Sequence, residues 1–167
     1  MIFIYNCFGG THSSSLAAAV HLKKLPLDRI PTRKEILNTD QFNRLTYKDM
    51  GRIIYRGMDD EGNKVYTVGR GTSKVLVPCL KNLTTIFHNE CGFNEKIIFS
   101  NMSPTVTFPM TVGGFLSRGL GIDVIGVPLL VVGVQQAYRR VIKVVKHTKE
   151  CSKRLNDPVL VLLNINT

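Results

Sequence analysis

Acidic residues are scarce in this chain. Twelve Asp and Glu stand against 22 Lys and Arg, which leaves a formal net charge of +10 at pH 7. That imbalance argues for an acidic partner, whether nucleotide, nucleic acid or anionic surface, and is silent about fold. Cysteines are few and scattered: Cys7, Cys79, Cys91 and Cys151 have no metal-ligand spacing. Neither a zinc site nor a disulfide framework is expected, and a reducing cytoplasm with free thiols fits. Long hydrophobic runs are missing as well. The longest apolar stretch, Leu120 to Val134, is broken by Asp123, Pro128 and several glycines, and it is too short to span a bilayer. No basic leader precedes the apolar N-terminus, so no signal peptide is expected. A Gly-Lys-Ser/Thr triplet is also lacking, which excludes a Walker A loop.

What is present suits one globular domain over residues 1–167. The apolar share of 44% and the charged share of 20% are ordinary for a soluble protein of this size. The most informative stretch comes first. Met1 to Asn6 is an apolar, β-branched and aromatic run of strand length, Cys7 to Ser15 is rich in Gly, Ser and Thr, and an alanine-rich segment follows. Strand, tight loop and helix start make an anion-binding arrangement, because free backbone N–H groups and the helix dipole both face outward there. Gly9 and Gly10 permit left-handed backbone and close approach of a ligand. Thr11, Ser13, Ser14 and Ser15 supply hydroxyls that can cap the helix or donate to an oxyanion.

Further along, a helix is expected over Ser14 to Leu25, stopping at Pro26, and a short one capped by Thr32. Asn38 to Met50 reads as a loop or short helix on the surface, or a lid. Arg52 to Arg56 and Lys64 to Val68 form a hairpin about the turn Asp59 to Asn63, whose acidic triplet is either an inert tip or a ligand for a divalent cation. Val75 to Phe87 has helical periodicity, and Lys96 to Ser100 is a buried strand. A helix is expected over Phe108 to Leu120 with Gly121 as its cap, and Gly113-Gly114 inside it suggest close backbone packing. Val127 to Gly133 reads as a parallel strand, Gln135 to Arg154 as a long helix with a basic outer face, and Val159 to Ile165 as a last strand. The alternation predicts a three-layer α/β sandwich with a mainly parallel sheet and one inserted β-hairpin. Ligands bind beyond the C-terminal strand ends of such sheets. Three segments should therefore share one rim: Cys7 to Ser15, Ser100 to Pro104, and Gly133 to Gln136.

Cys7, at the end of the first strand, is the candidate nucleophile, since loop amides and a helix N-terminus favour its thiolate. His12 is the candidate proton donor. Both have plainer readings, Cys7 as a packing residue and His12 as a hydrogen-bonding loop residue; His21 is read as structural. The loop resembles those of two phosphocysteine families. In low-molecular-weight protein tyrosine phosphatases a strand ends in Cys, five residues follow, and Arg-Ser opens the helix. Here Phe8 to His12 follow Cys7, and Ser13-Ser14 stands in place of Arg-Ser, so the bidentate Arg is missing. The IIB subunits of sugar phosphotransferase systems have a Cys-x-x-Gly-x-x-x-Ser loop, which Cys7, Gly10 and Ser14 match. Arg118 is a candidate to reach over and supply the positive charge that the loop lacks, or else a surface ion-pair residue.

A broader resemblance spans nearly the whole chain. Asn6 to Ser14, Gly57-x-Asp59-x-Glu61-Gly62-Asn63-x-Val65-Tyr66, and Gly113 to Gly121 resemble an uncharacterised family of small Firmicutes proteins, a domain of unknown function of the 3189 type. That implies a bacterial cytoplasmic protein from a spore-former and brings no activity with it. The expectation is a phosphorylated small molecule or nucleotide held by Gly9, Gly10, Thr11, Ser13, Ser14, Ser15 and Arg118, with phosphoryl transfer or hydrolysis through Cys7 and His12 and no metal site assigned. The alternative is a non-catalytic basic protein that contacts nucleic acid or another macromolecule through its long helix.

Overall fold

A computed structural model describes residues 1–165. Five strands form one sheet: β1 (Ile2–Cys7), β2 (Ile53–Met58), β3 (Lys64–Gly69), β4 (Ile97–Asn101) and β5 (Val159–Leu162). Their spatial order is β2-β3-β1-β4-β5, and only the β2–β3 hairpin is antiparallel. The period of two along β1 decides the layers. Phe3 and Tyr5, with Ile98, face one side and are covered by Leu16, Ala17 and Val20 of α1 (Ser13–His21) and by Tyr138, Val141 and Val145 of α5 (Asp123–Lys153). Ile4, with Val68, Phe99 and Val159, faces the other side, where Leu76, Val77 and Leu80 of α3 (Leu76–Cys91) pack. The fold is therefore the expected three-layer α/β sandwich. Each aliphatic or phenyl side chain so buried contributes about 1.5–3 kcal/mol.

Local chemistry accounts for the shorter elements. Thr32 caps α2 (Arg33–Leu37) in a capping box: its hydroxyl accepts from the Glu35 N–H, and Glu35 returns a bond to the Thr32 N–H at 2.7 Å. The hairpin tip turns inward. Asp59 accepts from His21 Nε2 at 2.9 Å, Tyr5 donates its hydroxyl to His21 Nδ1 at 2.8 Å, and Lys149 lies 3.5 Å from the same carboxylate. Asp60 pairs with Lys23. Asp59 and Asp60 thus tie β2–β3 to α5 and to the end of α1, and His21 is the structural residue the sequence indicated.

One expected strand is not there. Val127 to Gly133 lies inside α5, a 31-residue helix that continues through Pro128. Its first half pairs with α4 (Phe108–Gly114), which runs on into a π-helical turn over Phe115–Gly119. Glycines let the two backbones meet: a Cβ on Gly113 would lie 2.7 Å from Gly126 O, and one on Gly133 would lie 2.6 Å from Met110 N. Gly133 to Gln136 consequently belongs to a helix packed on α4 and is not a strand end on the ligand rim. The wall of that rim is instead the α4 hairpin.

Candidate functional site

β1 delivers Cys7 to the rim, and backbone bonds stitch the following turn to the end of β3. Arg70 N–H donates to Cys7 O and Gly71 N–H to Phe8 O, both at 2.9 Å. Gly10 (φ +70°) lies so close to β3 that an added Cβ would sit 2.7 Å from Gly69 N, and no other residue fits there. α1 then begins with His12 at its N-cap position and no side-chain cap. Its first backbone bond runs from Leu16 N–H to His12 O. The N–H groups of Ser13, Ser14 and Ser15 meet no acceptor among the described residues, as expected of a helix N-terminus left open.

The four hydroxyls of the loop divide sharply. Thr11 donates to Gln41 O at 2.6 Å and accepts from the N–H groups of Arg44 and Leu45, so it anchors the Asn38–Met50 segment. Ser15 donates to Gly10 O at 3.2 Å and accepts from Arg56 at 3.1 Å. Ser14 Oγ lies 3.2 Å from Cys7 Sγ, which also accepts the Gly10 N–H at 3.2 Å. Ser13 is wholly buried, and its Oγ has no hydrogen-bond partner. A buried hydroxyl without a partner costs about 1–3 kcal/mol, which a ligand at this point would recover.

Cys7, Thr11 and Ser13 line a cleft of about 680 Å³, whereas Ser15 lines a separate cavity with Arg56. Cys7, Gly9, His12 and Ser13 lie on its loop side, Arg70 and Ser103 beside the sheet, and Met110, Phe115 and Arg118 on the helical hairpin. Arg118 does come to the site, as the sequence allowed, and it is oriented there by Asp123 at 3.2 Å. Two residues that sequence reasoning missed also bring charge. Arg70 lines the cleft and donates to Ser103 at 3.3 Å. Arg56, buried behind the loop, donates to Thr67, Asp40, Gly10 O and Ser15. The Gly10 carbonyl points back at Arg56, so the trans peptide turns the Thr11 N–H the opposite way.

His12 stands at the end of a relay assembled from three segments. Asp123 accepts from the Ser117 hydroxyl, Ser117 accepts from Asn43 Nδ2 at 2.8 Å, and Asn43 Oδ1 accepts from His12 Nε2 at 3.1 Å. The carboxylate sets the direction of every proton in this chain. It places the imidazole hydrogen on Nε2 and leaves Nδ1 as an acceptor. Burial lowers the His12 pKa from 6.5 to about 4, with the Arg118 charge acting in the same sense and the Asn43 bond opposing it. The ring is neutral at pH 7.

The family model described as Protein of unknown function (DUF3189) matches residues 2–150. The chain belongs to the DUF3189 family. No curated protein and no solved structure matches it. The DUF3189 match runs from β1 into the last turn of α5 and so takes in every residue named in the cleft. No helix among the described residues is long and apolar enough to cross a membrane.

Proposed function

We propose that the cleft binds the phosphate of a phosphorylated small molecule or nucleotide in a cytoplasmic protein, with the phosphate seated against the start of α1. The Ser13 hydroxyl carries this reading: it is buried, unpartnered, and set beside three amide N–H groups that also lack acceptors. Arg70 and Arg118 add charge from the opposite walls. Titration with inorganic phosphate, followed by thermal shift, tests it, because a ligand that binds only the folded state raises Tm. Ser13→Ala should cut the shift, while Ser13→Thr, which keeps the hydroxyl, should retain part of it. If inorganic phosphate raises Tm equally in the wild type and in Ser13→Ala, the reading is wrong.

Phosphoryl transfer through Cys7 fits the same geometry. Once the Cys7 thiol had given its proton to solvent, the sulfur would attack phosphorus, an S–P bond would form as the ester P–O bond broke, and the leaving oxygen would take a proton from solvent. Water would then attack phosphorus and give its proton to His12 Nδ1, and the S–P bond would break to regenerate the thiolate and release phosphate. The resemblance to phosphocysteine loops supports this, since Ser14 holds the sulfur at 3.2 Å from the position where the phosphatase loop has its Ser. The neutral imidazole suits an acceptor better than the proton donor expected from sequence. Cys7→Ser should abolish turnover and spare phosphate binding.

A second reading rests on α5. Arg139, Arg140, Lys143, Lys146, Lys153 and Arg154 are exposed and form no ion pair among the described residues. Arg139, Lys143, Lys146 and Lys153 are spaced by four, three and seven residues, as one face of a helix requires. Contact with nucleic acid through this stripe would show as a steep fall in oligonucleotide affinity with salt.

A further inference from the structure

Beyond the phosphate seat, the walls of the cleft carry a second signal. Phe8 is 48% exposed, Tyr47 64% and Phe115 60%, and all three line the cleft although they come from separate segments. Phe8 belongs to the loop, Tyr47 to the 3₁₀ turn Tyr47–Asp49, and Phe115 to the π-helical turn. Exposed ring area is unfavourable at about 25 cal/mol per Å², so three rings left open around one concavity form surface that a ligand can cover. Single exposed apolar residues are common, but convergence of three on one cleft is not explained that way.

The polar groups of the cleft point the same way. No Asp, Glu, Asn or Gln side chain lines it among the described residues. Its cations, Arg70 and Arg118, only donate hydrogen bonds, whereas each hydroxyl of a sugar or other polyol has a proton that needs an acceptor. The walls therefore offer apolar faces and positive charge, and their side-chain acceptors are hydroxyls and His12 Nδ1 with no carboxylate or amide among them. A cleft of about 680 Å³ lies within the usual range for small-molecule sites.

We infer that the ligand is a phosphate ester of a planar aromatic group, seated with its phosphate on α1 and its ring among Phe8, Tyr47 and Phe115, in preference to a sugar or alkyl phosphate. This rests on the phosphate reading above and narrows it. A cationic guanidinium over the ring face would add a cation–π contribution to the same preference.

Calorimetric titration of the full chain with inorganic phosphate, ribose 5-phosphate, phenyl phosphate, AMP and adenosine tests both layers separately. The inference expects phenyl phosphate or AMP to bind at least tenfold more tightly than ribose 5-phosphate. Phenyl phosphate ahead of AMP indicates a small aryl ester, and AMP ahead indicates a nucleotide; either outcome supports the inference. In Phe115→Ala and Tyr47→Ala, both more than half exposed, the aromatic advantage should shrink at least threefold while inorganic phosphate binding changes less than twofold. Ribose 5-phosphate binding as tightly as the two aromatic esters overturns the inference and leaves the phosphate reading standing. Adenosine binding as tightly as AMP overturns the phosphate reading and the inference with it, as does a failure of every phosphate to bind.

Discussion

Acid should destabilise the wild-type protein more than it destabilises His12→Gln. In the folded chain the His12 pKa falls from 6.5 to about 4, with burial the largest cause. The sign follows from which state takes the proton first. Above pH 6.5 neither folded nor unfolded His12 is charged, and the full stability is present. Between pH 6.5 and 4 the unfolded chain is protonated and the folded one is not, so stability falls as pH falls, by about 1.4 kcal/mol per pH unit, and levels off below the folded pKa. The interval from 6.5 to about 4 sets an upper bound of about 3.5 kcal/mol. The ring is partly open to the cleft, and solvent screening there brings the expected loss nearer 2 kcal/mol. Urea unfolding at several pH values from 7 to 4.5, in wild type and in His12→Gln, isolates this contribution. His21, whose pKa burial also lowers, is present in both proteins and cancels in the difference. Glutamine keeps a donor for Asn43 Oδ1. A wild-type-minus-variant stability that stays constant over that pH range refutes the argument. Nitrogen NMR gives an independent check: the relay requires the hydrogen on Nε2, and a predominant Nδ1–H form would contradict it.

Two further perturbations probe the scaffold. Gly126→Ala would ordinarily favour a helix by about 1 kcal/mol. Here the new Cβ would lie 2.7 Å from Ser117 N and 2.8 Å from Gly113 O, so net destabilisation of about 1–3 kcal/mol and a lower Tm are expected; a raised Tm would mean that the α4–α5 contact is not tight. Asp59→Ala removes the acceptor of His21 and Lys149 and should cost about 1–3 kcal/mol in denaturant unfolding. Because this network closes the hairpin away from the cleft, inorganic phosphate affinity should be unchanged wherever the variant is folded, and a large loss of affinity in folded protein would disprove that separation.

Most of the fold was legible because its signals are local. The apolar run of β1 and its glycine turn, the Thr32 capping box, the acidic hairpin turn and the periodicity of α3 each need only a few consecutive residues. Val127 to Gly133 misled for a physical reason. A continuous apolar run of strand length with β-branched residues and a proline has the composition of a buried parallel strand, and periodicity cannot separate that from a helix enclosed on more than one side. The distinguishing sign was the small residues. Gly126 and Gly133 are seven apart, two helical turns, and both carry backbone contacts to the α4 hairpin whose Gly113 was already marked for close packing. Pro128, the sixth residue of α5, gives up the one backbone bond it would otherwise make to Val124 O, and the helix continues through it.

The site was legible only along one segment. Cys7, His12 and Ser13 were visible because strand, loop and helix start are contiguous, whereas their neighbours come from far along the chain. Asn43 and Ser117 are 74 residues apart and meet through a single hydrogen bond, a pairing that no spacing rule reveals. The clearest case is the positive charge that the loop itself lacks after His12. A guanidinium is present at the loop all the same: β2 brings Arg56 beneath it, 46 residues from Gly10. It does not stand where an arginine in the loop would grip the phosphate. It holds Gly10 O and Ser15 Oγ from behind, and so spends its hydrogen bonds on aiming the loop. If the cleft holds a phosphate as proposed, its counter-charge comes from other residues: Arg70 and Arg118 line the cleft, whereas Arg56 does not. Division of labour between an arginine that shapes the loop and two that face the ligand predicts different phenotypes: Arg56→Lys should lower Tm and phosphate affinity together, whereas Arg70→Gln should weaken phosphate binding about tenfold with Tm within 2 °C of wild type, as expected for loss of a charge-assisted contact of roughly 1.4 kcal/mol at a surface that folding does not require.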